Sequence, residues 1–225
     1  MNRKCTHCQI KSDAARALTP EELVFLEDHC LERVYGKGET VFTEGKRSTH
    51  VVFIKSGLVK IHMQGPRYEQ VLKIAPAGSY LGIQSMLSKQ THQYSATALL
   101  VSTICLIDSR SFEQLIRRNA DFANQLIVYL CEDELNYFRR FVSQSQKQIN
   151  GKLADTILFF ANEIFRQDHF ELPLTRKDLG TLLCTTRESA TRAIKELSDL
   201  GVIQVNKSSF SIKNRKLLQT ISKNG

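Results

Sequence analysis

The amino-acid sequence predicts an α+β fold, with an antiparallel β-rich domain first, a long helix next and a small helical domain last. Short apolar runs separated by glycines fill residues 35–108. A long stretch with helical spacing of its apolar residues follows, and two short helical patterns lie close together near the C-terminus. A chain of 225 residues is long for one domain and comfortable for two.

The first residues predict a leader and a short helix. Residues 1–18 are polar, and the segment after them has helix-start signals. Thr19 suits the N-cap, Pro20 the first helical position and Glu22 the third, as in a capping box. The sequence therefore predicts a helix from Pro20 to about Leu31.

The β-rich region predicts a closed or double-sheet structure. Its apolar runs are Glu39–Phe42, Val51–Ile54, Leu58–Met63, Gln70–Ala75 and Ala96–Ile107. Glycines at positions 36, 38, 45, 57, 65, 78 and 82 mark the corners between them. Short strands with glycine turns at this spacing are typical of an antiparallel barrel, β-roll or jelly roll.

A helical region begins near Ser111, and a long helix is predicted from about Asp121 to Gln148. Its larger apolar residues recur mostly at three- and four-residue steps, and polar residues at 133, 134 and 136 interrupt the stripe. A helix of this length with exposed aromatic residues forms either the spine of a domain or a two-stranded dimer contact. Both interpretations remain open from the spacing alone.

The last domain is predicted to contain a pair of short helices within Leu174–Ile203. An amphipathic helix, Lys152–Arg166, comes before them and packs this domain, and Gly151 suggests a hinge. Thr175 with Asp178 would cap the first helix of the pair. The second helix would start at Thr185 with Glu188, or at Thr186 with Ser189.

A hairpin is predicted directly after the helix pair. Gly201 suits the position that follows a helix C-terminus. Val202–Val205 and Phe210–Ile212 are short apolar runs, and the polar segment Asn206–Ser209 separates them. This pattern predicts a short hairpin or wing.

The second helix of the pair has two chemically different faces. Ala190, Ile194 and Leu197 have the spacing of a buried stripe. The other side carries Arg187, Glu188, Thr191, Arg192 and Lys195. Such groups contact base edges and phosphates in a DNA major groove. An ordinary helical hairpin with a solvated charged face has the same spacing, so the pattern by itself leaves both interpretations open.

Composition favours an anionic partner and argues against other classes. The net charge is +8, and the C-terminal residues from Lys195 onward carry more Lys and Arg than Asp and Glu. We find neither a run of about 18 apolar residues nor an apolar signal core. The sequence therefore predicts a cytoplasmic protein without a membrane segment. It contains no nucleophile–base arrangement and no Walker loop in a credible context, so an enzyme is not expected.

The order of β-barrel, long helix and winged helix-turn-helix resembles the bacterial CRP/FNR family of transcription regulators over nearly the whole chain. In the barrel the matching stretch is YGKGETVFTEGKRSTHVVFIKSGLVKIH, with Gly38, Gly45 and Gly57 at the family's turn positions. In the last domain the matching stretch is LTRKDLGTLLCTTRESATRAIKEL, where Thr191 stands at a position that is commonly serine in the FNR branch. Both motifs occur in the family's order and spacing.

The resemblance implies an organisation and a role. Residues 1–120 would be the leader and a β-roll sensor domain, residues 121–149 a long dimerisation helix, and residues 150–225 a winged helix-turn-helix DNA-binding domain. The chain would then be a homodimeric regulator that binds a double-stranded DNA operator, and the expected effect on transcription is activation. RNA polymerase would be a further partner by the same resemblance.

The resemblance also implies roles for individual residues. Arg187 and Arg192 would contact guanine edges or nearby phosphates, and Glu188 would accept a hydrogen bond from a cytosine amino group. Phosphate contacts, which position the protein without specifying sequence, would come from Lys195, Thr185 and Lys207. An intrahelical ion pair between Glu188 and Arg192, four residues apart, is an alternative that can coexist with DNA binding.

The effector is not expected to be cyclic AMP bound in the usual way. Family members that bind it use a glycine–glutamate pair for the ribose and an arginine followed by serine or threonine for the phosphate. Here Gly82 is present, but Ile83 stands at the glutamate position and Gln93-Tyr94 at the arginine–serine position. A phosphate would lack its strongest charge-assisted contact. The candidates for another effector pocket are Gly82, Gln84, Gln93, Tyr94 and Ser95, which could equally be ordinary polar residues at strand edges.

The cysteines suggest an alternative, a redox- or oxygen-sensing metalloprotein. Cys5 and Cys8 have ligand spacing for zinc or an iron–sulfur cluster. By resemblance to the FNR branch they match leader cysteines, and Cys105 matches the barrel cysteine. The third leader cysteine, expected near Ala14, is missing, and such clusters usually have all-thiolate ligation. The default expectation is therefore no metal.

The remaining cysteines are expected to be reduced thiols, as in other cytosolic chains. Cys131 and Cys184 fall within helical patterns and are predicted to be small buried residues.

Overall fold

The structure is a computed structural model that describes Cys8 and residues 10–225. The chain divides into two compact units by its internal contacts. The first unit comprises the residues up to Gln64 together with Leu72–Leu135, and the second comprises Gly65–Val71 together with Asn136–Gly225. The predicted domain boundaries at residues 120 and 149 stay predictions.

Two short helices and a set of short strands come first. The helices are α1 (Asp13–Arg16) and α2 (Pro20–Asp28), and α3 (Ile83–Leu87) lies between two of the strands. The strands are β1 (Cys30–Tyr35), β2 (Thr40–Phe42), β3 (His50–Ser56), β4 (Leu58–Gln64), β5 (Glu69–Pro76), β6 (Tyr80–Leu81), β7 (Ser95–Ala98) and β8 (Ser102–Asp108). They form two sheets of four strands, in the orders β1-β8-β3-β6 and β2-β7-β4-β5. The predicted antiparallel jelly-roll-like domain is confirmed.

The predicted single run Ala96–Ile107 is wrong, because two strands lie there in different sheets. β7 pairs with β2 and β4, whereas β8 pairs with β1 and β3. The chain passes from one sheet to the other between Ala98 and Ser102. Leu58 contacts both ends of this passage: its carbonyl accepts the N–H of Leu99 (2.7 Å), and its own N–H donates to Ser102 Oγ (3.1 Å). The residues between the two strands are apolar as well, so the sequence pattern does not show where one strand ends and the next begins.

The central strand β3 is buried on both faces, which explains its unbroken apolar run. Val52 and Ile54 point into the space between the sheets, where they pack with Ile104. Val51 and Phe53 point the other way, into a second apolar cluster that contains helical residues. Side chains alternate between faces along a strand, so two neighbouring cores require apolar residues at every position.

The N-terminal segment differs from its prediction in two ways. The capping box at Thr19 is present, but α2 ends at Asp28 instead of continuing to Leu31. Cys30 and Leu31 pair with β8 as the start of β1, and this ladder outweighs local helix preference. The predicted polar leader is also partly core, since Ala14 and Leu18 are buried in the second apolar cluster.

Two helices follow the strands, α4 (Ser109–Arg118) and the long α5 (Ala120–Gln146). The predicted long helix is confirmed with ends shifted by one or two residues. One side of α5 packs on the first unit, where Phe122 and Leu126 are buried. Tyr129 is tied to the backbone of Tyr80: its hydroxyl accepts the N–H (2.9 Å) and donates to the carbonyl (3.2 Å). Burial raises the pKa of Tyr129 to about 12.

The opposite side of α5 is an apolar stripe that we call the α5 stripe. Its residues are Ile127, Leu135, Phe138, Phe141 and Val142, with side chains 49–62% exposed. Ile127, Leu135, Phe138 and Val142 lie at helical steps on one face, and Phe141 lies at the edge of this face. Cys131 also lies on this face and is exposed, so its predicted burial is wrong.

The second unit contains the predicted helix pair and wing. Its helices are α6 (Ile149–Phe159), α7 (Arg176–Leu182), α8 (Arg187–Asp199) and α9 (Arg215–Asn224). Its strands β9 (His169–Glu171), β10 (Ile203–Asn206) and β11 (Ser209–Ile212) form an antiparallel sheet in the order β10-β11-β9. The predicted helix Lys152–Arg166 begins earlier, at Ile149, and changes at Phe160 into a π-helical turn. None of the helices in the described residues is long and apolar enough to cross a membrane.

His92 is a buried titratable group in the first unit. Its side chain is 6% exposed and stacks on Phe42 with ring centroids 4.0 Å apart. Nδ1 of His92 finds no hydrogen-bond partner among the described residues. Burial lowers the pKa of His92 from its ordinary value.

We expect the free energy of unfolding to fall as the pH decreases below about 6.5, the ordinary pKa of histidine. The folded state disfavours the protonated ring, so the unfolded state binds more protons in this range and stability rises with pH. Urea unfolding of the wild type and of His92→Gln at several pH values between about 7.5 and 5 measures this dependence. The free energy of unfolding should depend less steeply on pH in His92→Gln than in the wild type. His169→Gln, at an exposed histidine, is the control and should behave as the wild type does. Equal slopes in all three proteins would contradict the assignment to His92.

Candidate nucleic-acid interface

The starts of both helices in the pair are capped by threonine. Thr175 Oγ1 accepts the N–H of Asp178 (3.0 Å), and the Asp178 carboxylate accepts the N–H of Thr175 (3.3 Å), which confirms the predicted capping box. For α8 the structure selects the second predicted alternative, since Thr186 Oγ1 accepts the N–H of Ser189 (3.1 Å). Each cap satisfies backbone donors that a helix start leaves unpaired.

α7 and the start of α8 approach closely at Gly180. A Cβ added there would lie 2.9 Å from the backbone nitrogen of Arg187 and 3.0 Å from the carbonyl atoms of Thr186. Backbone atoms cannot move aside as a flexible side chain can, so glycine permits this crossing. The crossing places the first turn of α8 next to α7.

The turn between the two helices is a Schellman motif, in which Cys184 has a left-handed backbone. The N–H of Thr185 donates to the carbonyl of Gly180 (2.9 Å), and that of Cys184 to the carbonyl of Thr181 (3.0 Å). Cys184 has a φ of 54°, in a conformation that disfavours residues with a Cβ. Its side chain is exposed, so the prediction that Cys184 is buried in a helical face is wrong.

The two faces of α8 divide as the sequence predicts. Ala190, Ile194 and Leu197 are buried, together with Ala193. The predicted contact residues on the other face are all exposed: Arg187, Glu188, Thr191, Arg192 and Lys195. These same five residues line one open depression of about 620 Å³. Side chains of both charge signs and a hydroxyl thus share a single accessible surface.

The charged groups of this surface form no ion pairs within the part of the chain that the structure describes. No ion pair joins Glu188 to Arg192 there, although they are four residues apart. Thr191 Oγ1 donates to the carbonyl of Arg187 (2.8 Å) and keeps its acceptor capacity. The positive end of the α8 dipole adds to the charge of Arg187 at the first helical position.

The residues predicted to contact phosphates are all at least partly exposed. Thr185 is partly exposed in the turn before α8, and Lys195 is on α8 itself. Lys207 is exposed in the two-residue turn of the wing, with a φ of 55°. The N–H of Leu172 donates to the carbonyl of Ser208 (2.8 Å), which attaches the wing turn to the segment after β9.

Sequence reasoning missed β9 and α9, and it also missed two features close to the interface residues. Arg176, at the first position of α7, donates to the carbonyl of Lys207 (2.9 Å). A second depression, of about 410 Å³, is lined by Gln148, Ile149, Asn150, Ser189, Arg192, Ala193 and Glu196. Both join segments that are distant in sequence, so no local pattern could have predicted them.

In the first unit, the candidate effector residues are engaged mainly with neighbouring protein groups. The N–H of Gly82 donates to the hydroxyl of Tyr94 (2.9 Å), and burial raises the pKa of Tyr94 to about 12. The side-chain amide of Gln93 donates to Thr91 (3.0 Å), and Ser95 Oγ accepts the N–H of Glu44 (2.9 Å). Gln84 is exposed on α3.

These residues do not fit a cyclic nucleotide bound through the usual contacts. Ile83 is 1% exposed in an apolar cluster, where a ribose-binding carboxylate would be needed. The Gly82 N–H already has a partner in Tyr94. No guanidinium stands at position 93 to pair with a phosphate.

The predicted cluster cysteines are only partly described. Cys5 lies outside the described residues. Cys8 is half-buried and its Sγ lies 3.4 Å from the carbonyl of Ile10, whereas Cys105 is buried on β8. Within the described residues, no three His, Cys, Asp or Glu side chains form a group that could hold a metal ion. The cluster alternative stays a prediction, because Cys5 lies outside the described residues.

Comparison with known proteins agrees with this architecture. Residues 32–119 match the family model of a cyclic nucleotide-binding domain, and residues 151–221 match that of a Crp-like helix-turn-helix domain. Electron transport regulator A of Shewanella oneidensis is 28% identical over 75% of this chain and 69% of its own length. Transcriptional activator protein FnrL of Cereibacter sphaeroides is 26% identical over 89% of this chain and 84% of its own.

The fold also matches solved structures. FixK2 from Bradyrhizobium japonicum superposes with a TM-score of 0.77 at 20% identity, covering 85% of this chain and 96% of the other. The fold and the exposed face of α8 define a transcription regulator with a helix-turn-helix DNA-binding domain. The chain belongs to the CRP/FNR family of such regulators.

We expect Cys184→Gly to raise the free energy of unfolding by about 0.5–1 kcal/mol, because glycine adopts the left-handed conformation without the Cβ clash. Gly201 is the matched control, since it ends α8 in the same motif with a φ of 67° and open space around its missing Cβ. Gly201→Ala should lower the free energy of unfolding by about 1 kcal/mol. Urea unfolding measures both, and destabilisation by Cys184→Gly would show that another contact of the thiol outweighs backbone strain.

Proposed function

We propose that this chain is a homodimeric regulator that binds a specific double-stranded DNA operator through the exposed face of α8. The observation that carries the proposal is the shared surface of Arg187, Glu188, Thr191, Arg192 and Lys195, which are exposed together on one depression. A recognition helix presents side chains of these types to base edges from within the major groove. Family membership supports the same role.

The chemistry of each group suggests its contact. Arg187 and Arg192 offer planar forks of donors that match the acceptor pair on a guanine edge, and the Glu188 carboxylate can accept from a cytosine amino group. Lys195, Thr185 and Lys207 are proposed to contact phosphates, which fix register without specifying sequence. Thr191 stands between the two arginines and can accept or donate at the same surface.

The dimer proposal rests on the α5 stripe. The other side of α5 is anchored to its own unit through Phe122, Leu126 and Tyr129, and Asp133 forms an ion pair with Lys73 (2.5 Å). The stripe instead presents large apolar side chains to solvent. A second copy of α5 would bury them in a two-stranded contact, and a two-fold dimer would bind two half-sites.

The control of this regulator is proposed to act through the barrel, with an effector other than cyclic AMP bound in the usual way. The lack of an arginine at position 93 and the Gly82–Tyr94 hydrogen bond support this exclusion. A role as activator, in contact with RNA polymerase, is proposed by analogy with relatives such as FnrL, whose name describes a transcriptional activator.

The operator test uses a double variant, Arg187→Ala with Arg192→Ala. Operators are first selected from a random DNA pool with the wild type, and affinities are then measured by fluorescence anisotropy at fixed salt. Each lost bidentate contact removes roughly 1–3 kcal/mol of discrimination, so the double variant should lose specific binding. The control is Lys37→Ala with Lys89→Ala, which removes the same charge from exposed positions of the barrel. Unchanged preference for the selected operator in the double variant would refute the proposal.

The dimer test uses Phe138→Glu, which places a charge in the centre of the α5 stripe. Burying one phenylalanine stabilises by roughly 1.5–3 kcal/mol, so the dimer dissociation constant should rise more than tenfold, as measured by sedimentation. Val101→Glu, at an exposed apolar position away from α5, is the control.

The native thiol of Cys131 provides a second measurement of the dimer. In a parallel two-fold contact the two Cys131 thiols lie near each other, so mild oxidation should give a disulfide-linked dimer that Cys131→Ser cannot form. A protein that sediments as a monomer and does not crosslink would overturn the dimer proposal.

A further inference from the structure

The tip of the wing has a backbone conformation that needs support. Asn206 pairs with Ser209, so the turn between β10 and β11 consists of Lys207 and Ser208 alone. Lys207 has a φ of 55°, in the left-handed region that disfavours residues with a Cβ. A lysine rather than a glycine thus stands at the strained position, and its ammonium projects from an exposed turn.

The Leu172 N–H binds the Ser208 carbonyl of this turn, and one side chain from α7 binds the carbonyl of Lys207. Nη2 of Arg176 donates to the carbonyl oxygen of Lys207 at 2.9 Å. The guanidinium carbon of Arg176 also lies 5.4 Å from the ring centroid of Phe210 on β11. The guanidinium thus contacts both the turn and the strand that leaves it, through a charge-assisted hydrogen bond and a cation–π contact.

The ring beneath Arg176 is part of a stacked series. Phe210 stacks on Phe170 of β9 (centroids 6.2 Å apart, planes at 10°), and Phe170 stacks on Phe165 (5.3 Å, 14°). Phe170 and Phe210 are each at most 2% exposed. The surface on which Arg176 rests is therefore buried core, and packed cores are rigid on average.

Arg176 also has a fixed position relative to the recognition surface. It is the first residue of α7, directly after the Thr175 capping box, and α7 crosses α8 at Gly180 without room for a Cβ. The wing tip is thus connected to α8 through one short helix. Burial lowers the pKa of Arg176, in agreement with a guanidinium that is partly withdrawn from water.

We propose that Arg176 is a positioning residue that holds the wing-tip Lys207 at a fixed place relative to α8, so that Lys207 can reach a DNA phosphate. Arg176 acts through the Lys207 carbonyl and does not itself need to contact DNA. This inference rests on the proposed function, because it concerns the residue that positions Lys207, one of the proposed phosphate contacts.

The test measures operator affinity against salt concentration for Arg176→Met, Lys207→Gln and the double variant. The probes are the selected operator duplex and an unrelated duplex of the same length. Each phosphate contact contributes about 0.9 to the slope of log affinity against log salt. Lys207→Gln should therefore lower the magnitude of the slope by about one phosphate contact. Arg176→Met should lower it by about the same amount, because the Lys207 carbonyl loses its partner and only Ser208 stays bound, through the Leu172 N–H.

The double variant distinguishes positioning from direct contact. If Arg176 acts through Lys207, Arg176→Met should change affinity less than about twofold in the Lys207→Gln background, and the slope should not flatten further. If Arg176 binds a phosphate itself, the double variant should lose a second contact from the slope, and that result would overturn the proposal. A slope in Arg176→Met equal to that of the wild type would also overturn it.

A conservative variant keeps the test valid if Arg176→Met folds poorly. Arg176→Lys retains the charge but lacks the planar fork that contacts the carbonyl and the ring together. We expect it to flatten the slope as Arg176→Met does, whereas a phosphate-binding role would leave its slope near that of the wild type. Preference for the selected operator should persist in every Arg176 variant, because α8 is unchanged. The Arg187 and Arg192 variant tests operator preference, whereas the Arg176 variants test the salt dependence, so the two proposals can fail independently.

Discussion

The close crossing of α7 and α8 at Gly180 is the constraint on which the DNA-binding domain depends. A Cβ on residue 180 would lie only 2.9 Å from the backbone nitrogen of Arg187, so glycine permits the two helices to approach this closely. At this close approach one face of α8 is buried, and Ala190 and Leu197 on that face are fully buried. The opposite face is consequently left to charged and hydroxyl groups. Caps at Thr175 and Thr186 then define where each helix begins.

The long helix shows a second division between faces, with a different consequence. Its inner side is held by buried aromatic residues and by the Tyr129 hydroxyl, which contacts both backbone groups of Tyr80. Its outer side leaves apolar side chains such as Phe138 and Phe141 more than half exposed. A monomer does not benefit from such a stripe, because exposed apolar area is favourable only when a partner removes it from water. One side of α5 thus packs on the barrel, and the other side is the surface proposed to form the dimer contact.

The barrel retains the family's architecture while its own residues alter the ligand chemistry. A tyrosine hydroxyl accepts the Gly82 N–H, and an isoleucine is buried beside it. The Gly82 N–H is thereby already paired within the protein, and no arginine stands at position 93 to pair with a phosphate. Membership of the family therefore indicates the fold and the class of regulator, whereas the individual side chains decide which effectors are compatible.

Local patterns in the sequence determined the helix pair, its caps, the wing, the long helix and the two faces of α8. Each of these depends on residues a few positions apart, and capping, glycine conformation and helical spacing act over that range. Tertiary structure alone decided the start of β1 at Cys30, the sheet change between β7 and β8, and the contact of Arg176 with the wing tip. These features arise from hydrogen bonds and packing between segments distant along the chain. Their energies outweigh local preference, and no short pattern records them.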